Sequence, residues 1–128
     1  MALDLAAAMT AAAALLDEIP DLRVTAWPAE VVNVPAAIVS LPEAIDFDAT
    51  AARGFDRTVI PILLTVSLQS MRVARDQISE LIVAAKAALE PDLGGACDSC
   101  RVMNARFERV TANGVEYLGA NLPLEVYA

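Results

Sequence analysis

The stretch TVIPILLTVSLQ, Thr58–Gln69, is apolar at almost every even position and becomes polar at its last odd positions. Successive side chains of a strand point to opposite faces of a sheet, so this alternation predicts a strand with one fully apolar face. Pro61 has no N–H to give to a ladder. It therefore predicts an edge position, a bulge, or a pairing that leaves the N–H side of Pro61 free.

Val73–Glu90 follows with a different period, because its apolar residues recur at helical spacing. Ser70 is expected to cap this helix, and Pro91 is expected to end it. A strand with an apolar face and a helix with an apolar stripe can bury each other, which predicts an α+β domain. The predicted stripe consists of Ala74, Ile78, Leu81, Ile82, Ala85 and Leu89. The opposite face carries Asp76, Glu80, Val83 and Ala87, of which Val83 is unexpectedly apolar.

Leu3–Ile19 is expected to form a first helix, because most of its residues are alanine, the best helix former. Its predicted inner side contains Leu5, Met9, Ala12, Leu16 and Ile19, with Ala8 and Leu15 at the border. The outer face, with Ala7, Ala11 and Ala14, has no charge before Asp17. Helix propensity alone explains such a face, and so does a small-residue surface that another subunit can approach closely.

Four further stretches have strand character, and Ala112-Asn113-Gly114 predicts a tight hairpin turn between the last two. Together these elements predict a mainly antiparallel sheet of about four to five strands, with two helices packed on one face. The whole chain, residues 1–128, is expected to be a single domain. The strand candidates are Leu22–Trp27, which is the weakest, Val34–Leu41, Arg101–Thr111 and Glu116–Tyr127.

Glu43–Phe55 has no clear period and is expected to be a long hairpin loop between two strands. Loops of this length usually have a function or become ordered on binding. Asp46, Asp48 and Asp56 could together bind a divalent cation, but their spacing matches no EF-hand. A solvated acidic loop is the simpler interpretation.

The composition combines 57% hydrophobic residues and a mean hydropathy of +0.51 with a net charge of −8. A generously packed monomer would explain this, but a subunit that hides apolar surface in an assembly is favoured, because a small domain has little interior. No uncharged run is long enough to span a bilayer, and Asp4 stands where a signal peptide would be basic, so we expect a protein made in the cytoplasm without membrane contact. The acid excess disfavours non-specific binding of nucleic acid, although a negative surface lets DNA pass without sticking.

The chain has no histidine, which excludes Ser-His and Cys-His catalysis within it. Cys97 and Cys100 form a lone C-x-x-C. They are interpreted as two ordinary thiols, with a disulfide formed in oxidising surroundings and metal or redox chemistry as alternatives. We expect neither an enzyme nor a bound cofactor or metal.

The order of these elements, with the strand FDRTVIPILLTVSLQ and the closing hairpin CRVMNARFERVTANGVEYLGANLPLEVYA, resembles the tail terminator (tail completion) proteins of long-tailed bacteriophages, particularly those of actinobacterial hosts. The resemblance covers most of the chain and includes no catalytic motif. It implies a subunit of a hexameric ring in the virion that caps the tail tube and ends its polymerisation. It also implies contacts with the tail tube protein and a head-side connector, and a channel through which genomic DNA passes without specific binding.

The resemblance further implies that Glu43–Phe55 reaches toward a neighbouring subunit or the tube. A different ring protein of the phage neck, such as a head-closure protein, is an alternative. A small dimeric binding module and an enzyme using carboxylates or the cysteine pair are two more. The candidate interface residues are Ala7, Ala11, Ala14, Asp46, Phe47, Asp48, Arg53, Val83 and Ala87.

Overall fold

The computed structural model describes residues 3–26, 35–47, 55–112 and 114–128, and within these ranges it contains two α-helices and seven strands. The α+β class is therefore confirmed, whereas the predicted number of strands, four to five, is too low. A short 3-10 helix, Leu93–Gly95, follows the second α-helix. The elements are α1 (Leu5–Asp17), β1 (Arg23–Ala26), β2 (Ala36–Val39), β3 (Ile45–Asp46), β4 (Arg57–Ser67), α2 (Met71–Leu89), β5 (Ser99–Val102), β6 (Arg106–Ala112) and β7 (Val115–Tyr127).

The strands form one mainly antiparallel sheet in the order β1-β2-β4-β7-β5. The short strand β3 pairs with the start of β4, and β6 pairs with the first half of β7. Only β1 and β2 are parallel among the described strands. The long strands β4 and β7 pair along their whole length, from Arg57 opposite Tyr127 to Ser67 opposite Tyr117, so they form the centre of the sheet.

Two prolines explain how the long strands are divided between shorter partners. Pro61 lies in the central strand β4, so the edge position considered for it is wrong. Its carbonyl accepts a hydrogen bond from the N–H of Ser40, 2.9 Å away and just beyond the end of β2, so its nitrogen also points to that side. Pro61 therefore faces Ser40 beyond the end of β2, where it accepts a hydrogen bond but has no N–H to donate.

Pro123 lies opposite Pro61 and has the same effect on the other side of β7. Its carbonyl accepts a hydrogen bond from Met103, at a point where β7 cannot donate in return. The predicted strand Arg101–Thr111 is consequently two strands, with β5 on one side of Pro123 and β6 on the other. The predicted loop Glu43–Phe55 likewise contains an unexpected strand, β3, and its residues 48–54 lie outside the described part of the chain.

Both helices pack on one face of the sheet, named the helix face below. The even-numbered side chains of β4 and β7 point toward it, as the alternation predicts, and they are fully buried from Ile60 to Val66 and from Ala120 to Val126. The odd-numbered side chains lie on the second face, where residues such as Arg57, Asn121 and Glu125 replace the aliphatic groups.

The predicted stripe of α2 is confirmed. Ala74, Ile78, Leu81, Ala85 and Leu89 are buried, and Ile82 is half-buried beside them. The hydroxyl oxygen of Ser70 accepts a hydrogen bond from the N–H of Val73 and caps the helix as expected.

Helix α1 is rotated relative to its prediction. Its buried line is Ala8, Ala12 and Leu16, so Ala8 lies at the centre of the contact and not at its border. The two alanines have short side chains, and Leu5 and Met9 are half-buried at the edge of the core. Asp4 caps this helix by accepting a hydrogen bond from the N–H of Ala7 at 3.1 Å.

Candidate assembly surfaces

A shallow apolar hollow of about 300 Å³ lies between the first turns of α2 and the β6–β7 hairpin. The hairpin brings Phe107 to the helix face, because Phe107 pairs with Ala120 of β7. The Phe107 side chain is nevertheless 61% exposed. The hollow is lined by Met71, Arg75, Ile78, Ser79, Phe107 and Leu118.

A second apolar surface continues from the hollow along the outside of α2. It includes Val83, whose side chain is 69% exposed, and Ala87, one turn further along the helix. Both residues were singled out from the sequence, and both lie on the solvent side of α2. Ser79 and Glu80 are the polar residues of this surface, and it adjoins the hollow because Ser79 lines both.

The small-residue face of α1 is only partly as expected. Ala7 and Ala14 are exposed, together with Thr10 between them. Ala11 is half-buried and packs against the core, so it lies at the flank of the contact and not on the outer face. Whether another subunit meets this face stays a prediction.

The segment Leu41–Phe47, named the acidic segment here, leads from the end of β2 through β3. It exposes two large apolar side chains, with Leu41 64% and Phe47 74% accessible. Its two charged residues, Glu43 and Asp46, are both acidic and both exposed. Two further candidates from this region, Asp48 and Arg53, lie outside the described residues.

Asp46 belongs to a chain of alternating charges on the second face of the sheet. Arg57 contacts Asp46 at 3.2 Å and Glu125 at 2.8 Å, and Arg101 contacts Glu125 from the other side at 3.0 Å. Burial alone would raise the pKa of the Glu125 carboxyl, but the hydrogen bonds from Arg101 and Arg57 hold it below its ordinary value. The hydrogen bond to Glu125 in turn raises the pKa of Arg57. This cluster is a structural brace between β3, β4, β5 and β7.

Of the three aspartates considered for a cation, Asp48 lies outside the described residues, and the other two have different partners. Asp46 is engaged with Arg57, and the carboxylate of Asp56 accepts from the N–H of Leu3 at 3.5 Å. Within the described ranges, no group of three or more cysteine, aspartate and glutamate side chains is placed to hold a metal ion. Neither described helix is long and apolar enough to cross a membrane.

Cys97 and Cys100 are both free thiols, and their side chains are close enough to influence each other. Burial, and next the proximity of Cys100, raises the pKa of the Cys97 thiol to about 12. Burial also raises the pKa of Cys100, whose sulfur donates to the carbonyl of Leu89 at 3.1 Å. Thiols that keep their protons at neutral pH are poor nucleophiles. This favours the interpretation of the pair as ordinary thiols.

Sequence reasoning found the Val83 and Ala87 surface because a helical period defines which residues face outward. It did not find the hollow, since Phe107 and Leu118 reach α2 only through the pairing of β6 with β7. The alternation of Arg101–Thr111 could have placed Phe107 on the helix face if the break at Pro123 had been recognised.

No model of a known protein family matches this sequence, and no curated protein sequence matches it. The surfaces described above are therefore the observations that bear on function.

Proposed function

We propose that this chain is a structural ring subunit of a phage tail, a tail terminator that caps the tail tube, ends its polymerisation and joins the tail to the head-side connector. The observation that carries the proposal is the pair of adjoining, largely apolar surfaces on α2 and the β6–β7 hairpin. Val83 and Phe107 are well exposed there in a chain of only 128 residues. Contiguous exposed apolar surface of this kind marks a contact with another protein.

Two further features support a ring in a virion. The net charge of −8 suits a channel that lets DNA pass without binding it. The tight turn expected at the closing hairpin is present, with Ala112 opposite Val115 and Gly114 at φ +77°.

Light scattering and negative-stain images of the purified protein, alone and with tail tube protein, test the proposal. We expect closed rings of uniform diameter, alone or at one end of each tube, and shorter tubes as the ring protein is increased. A strictly monomeric protein that neither binds nor caps tubes would contradict it. A two-fold dimer with no affinity for tubes would instead favour a small binding module.

Surface variants locate the contact. Val83→Asp places a charge on the apolar area of α2, and Ala7→Glu places one on the outer face of α1. Neither residue is buried, so both variants should keep the melting temperature of the parent within a few degrees. We expect Val83→Asp to weaken ring formation strongly. Ala7→Glu will weaken it only if the small-residue face is also a contact.

A further inference from the structure

The hollow and the acidic segment both present apolar side chains to solvent. The hollow is concave, and its lining is apolar except for Arg75 and Ser79. The acidic segment projects Phe47 and Leu41, which are the two most exposed large apolar side chains apart from Val83. An aromatic side chain seated in an apolar hollow is the usual anchor of a protein–protein contact.

The two surfaces also carry opposite unpaired charges. At the hollow, Arg75 is paired with Asp76, and Arg109 lies 3.8 Å from Glu116. Arg72 stands beside Arg75 on α2 and has no ion-pair partner among the described residues. Positive charge is scarce in a chain with nine basic and seventeen acidic residues, so an unpaired arginine beside an apolar hollow favours an acidic partner.

On the acidic segment, Asp46 is neutralised by Arg57. Glu43 is exposed and has no ion-pair partner within the described ranges. Glu43 therefore carries an unpaired negative charge on the acidic segment, and Arg72 carries an unpaired positive charge beside the hollow. Two copies of a chain with net charge −8 repel each other, and a contact that sets Glu43 against Arg72 is one that reduces this repulsion.

The two surfaces lie at opposite ends of the central strand β4. The acidic segment pairs with Arg57 at the start of β4, whereas Leu118 of the hollow lies opposite Val66 near its end. Arg57 and Val66 are separated by about 30 Å at the usual rise of a strand. One chain cannot fill its own hollow over this distance, and contacts between different surfaces join copies head to tail.

We infer that the acidic segment of one copy docks in the hollow of the next, with Phe47 against Phe107 and Met71, and with Glu43 beside Arg72. The occupant is thus a second copy of this chain. The inference deepens the proposed ring function, on which it rests for the expectation that copies of the chain meet. It adds which two surfaces form the contact.

The test uses two variants that each disable one surface, Phe47→Asp and Phe107→Asp. Both side chains are mostly exposed, and unchanged circular dichroism and melting temperature will show that both variants fold. Sedimentation equilibrium should show that each change weakens self-association by about 30-fold or more, as loss of an anchor residue does. Val115→Asp is the matched control, because Val115 is exposed but belongs to neither surface, and it should associate like the parent.

Mixing the two variants gives the sharper result. Phe107→Asp keeps an intact acidic segment and Phe47→Asp keeps an intact hollow, so an equimolar mixture should form heterodimers and nothing larger. A mixture that remains monomeric would overturn the inferred contact. Glu43→Arg and Arg72→Glu should each weaken association by about 3- to 10-fold, and the double variant should restore it. Failure of the double variant to recover would overturn the charge pairing.

The outcomes separate this contact from the ring function. Rings of parental size formed by both aspartate variants would overturn the contact and leave the proposed ring intact. Head-to-tail assemblies that depend on Phe47 and Phe107 but never bind tail tubes would support the contact and contradict a tail terminator. A parent chain that stays monomeric up to about 1 mM, where even a weak contact of about −4 kcal/mol would be half-formed, overturns the inferred contact, and it also contradicts the ring function if it neither binds nor caps tail tubes.

Discussion

The two faces of the sheet are built from the same strands but are stabilised in different ways. On the helix face, β4 and β7 contribute aliphatic side chains that are fully buried under α1 and α2. On the second face, the same strands contribute Thr65, Gly119, Asn121 and Glu125. The Glu125 carboxylate is paired with two arginines, whereas Thr65 Oγ1 and Asn121 Oδ1 are buried without a hydrogen-bond partner among the described residues. Burial of aliphatic groups is non-directional, whereas polar groups stabilise only when each finds its partner. The helix face should therefore set the stability of the fold, and the second face should respond to single contacts.

Ile62 and Leu63 provide the strongest test, because they are consecutive residues on opposite faces. Ile62 is fully buried on the helix face, and Leu63 is half-buried on the second face. Ile62→Asp should prevent folding, since an unpaired buried charge costs several kcal/mol in a domain whose total stability is about 5–15 kcal/mol. Leu63→Asp should lower the free energy of unfolding by only about 1–2 kcal/mol. Thermal unfolding followed by circular dichroism measures both, and equal unfolding by the two variants would show that the faces do not differ.

Because of the charge cluster on the second face, we expect the free energy of unfolding to depend on pH. Glu125 is buried, with 8% of its side chain exposed, and its lowered pKa means that folding favours its charged form. The resulting stability is present above the pKa of an unfolded glutamate, about 4.3, and is lost as the pH falls through the folded value. Glu125→Gln should therefore cost about 2 kcal/mol at pH 7, and this difference should shrink steadily below about pH 4.

Glu116→Gln is the control for this prediction. Glu116 is exposed and lies 3.8 Å from Arg109, a distance and setting in which an ion pair contributes little. Urea unfolding at a series of pH values should show almost no difference between this variant and the parent. A Glu125→Gln variant whose cost is independent of pH would mean that the carboxylate charge does not contribute.

Gly119 tests how closely the second face is packed. A Cβ atom at this position would lie 2.8 Å from Cγ2 of Val110, closer than carbon atoms pack, and 3.3 Å from Cδ1 of Leu63, which is a tight contact. Gly119→Ala should therefore cost about 1–3 kcal/mol, although alanine suits a strand better than glycine. In a Val110→Ala background the clash is removed, and the same change should cost less than about 0.5 kcal/mol. If the cost is unchanged there, the strain arises elsewhere on the second face.

The same contrast between the faces explains how much of the molecule was predictable. The helix face follows from periods in the sequence, so β4, β7 and α2 were placed within a few residues and their buried side chains were identified. The division of Arg101–Thr111 into two strands depends on Pro123 in a different strand, and β3 depends on pairing with Arg57 and Thr58. The Glu125 cluster joins residues up to 79 positions apart, from Asp46 to Glu125, and no local pattern encodes it. For the same reason Val83 was recognised as exposed, but the hollow around Phe107 was not.

Two threonines of β4 give the smallest expected effects and the closest comparison of the faces. Thr58 on the helix face donates its hydroxyl to the carbonyl of Ala44 at 2.7 Å, whereas the buried hydroxyl of Thr65 on the second face has no hydrogen-bond partner among the described residues. Valine has nearly the same shape as threonine without the hydroxyl. Thr58→Val should therefore lower the free energy of unfolding by about 1 kcal/mol, because the Ala44 carbonyl loses its donor. Thr65→Val should raise the free energy of unfolding by a similar amount, because it removes a desolvated group that gains nothing on folding. Urea unfolding measures both changes, and an unchanged m-value would attribute them to the folded state. A loss of stability in Thr65→Val would mean that this hydroxyl does have a hydrogen-bond partner. The polar groups of the second face would then be satisfied as completely as those of the helix face.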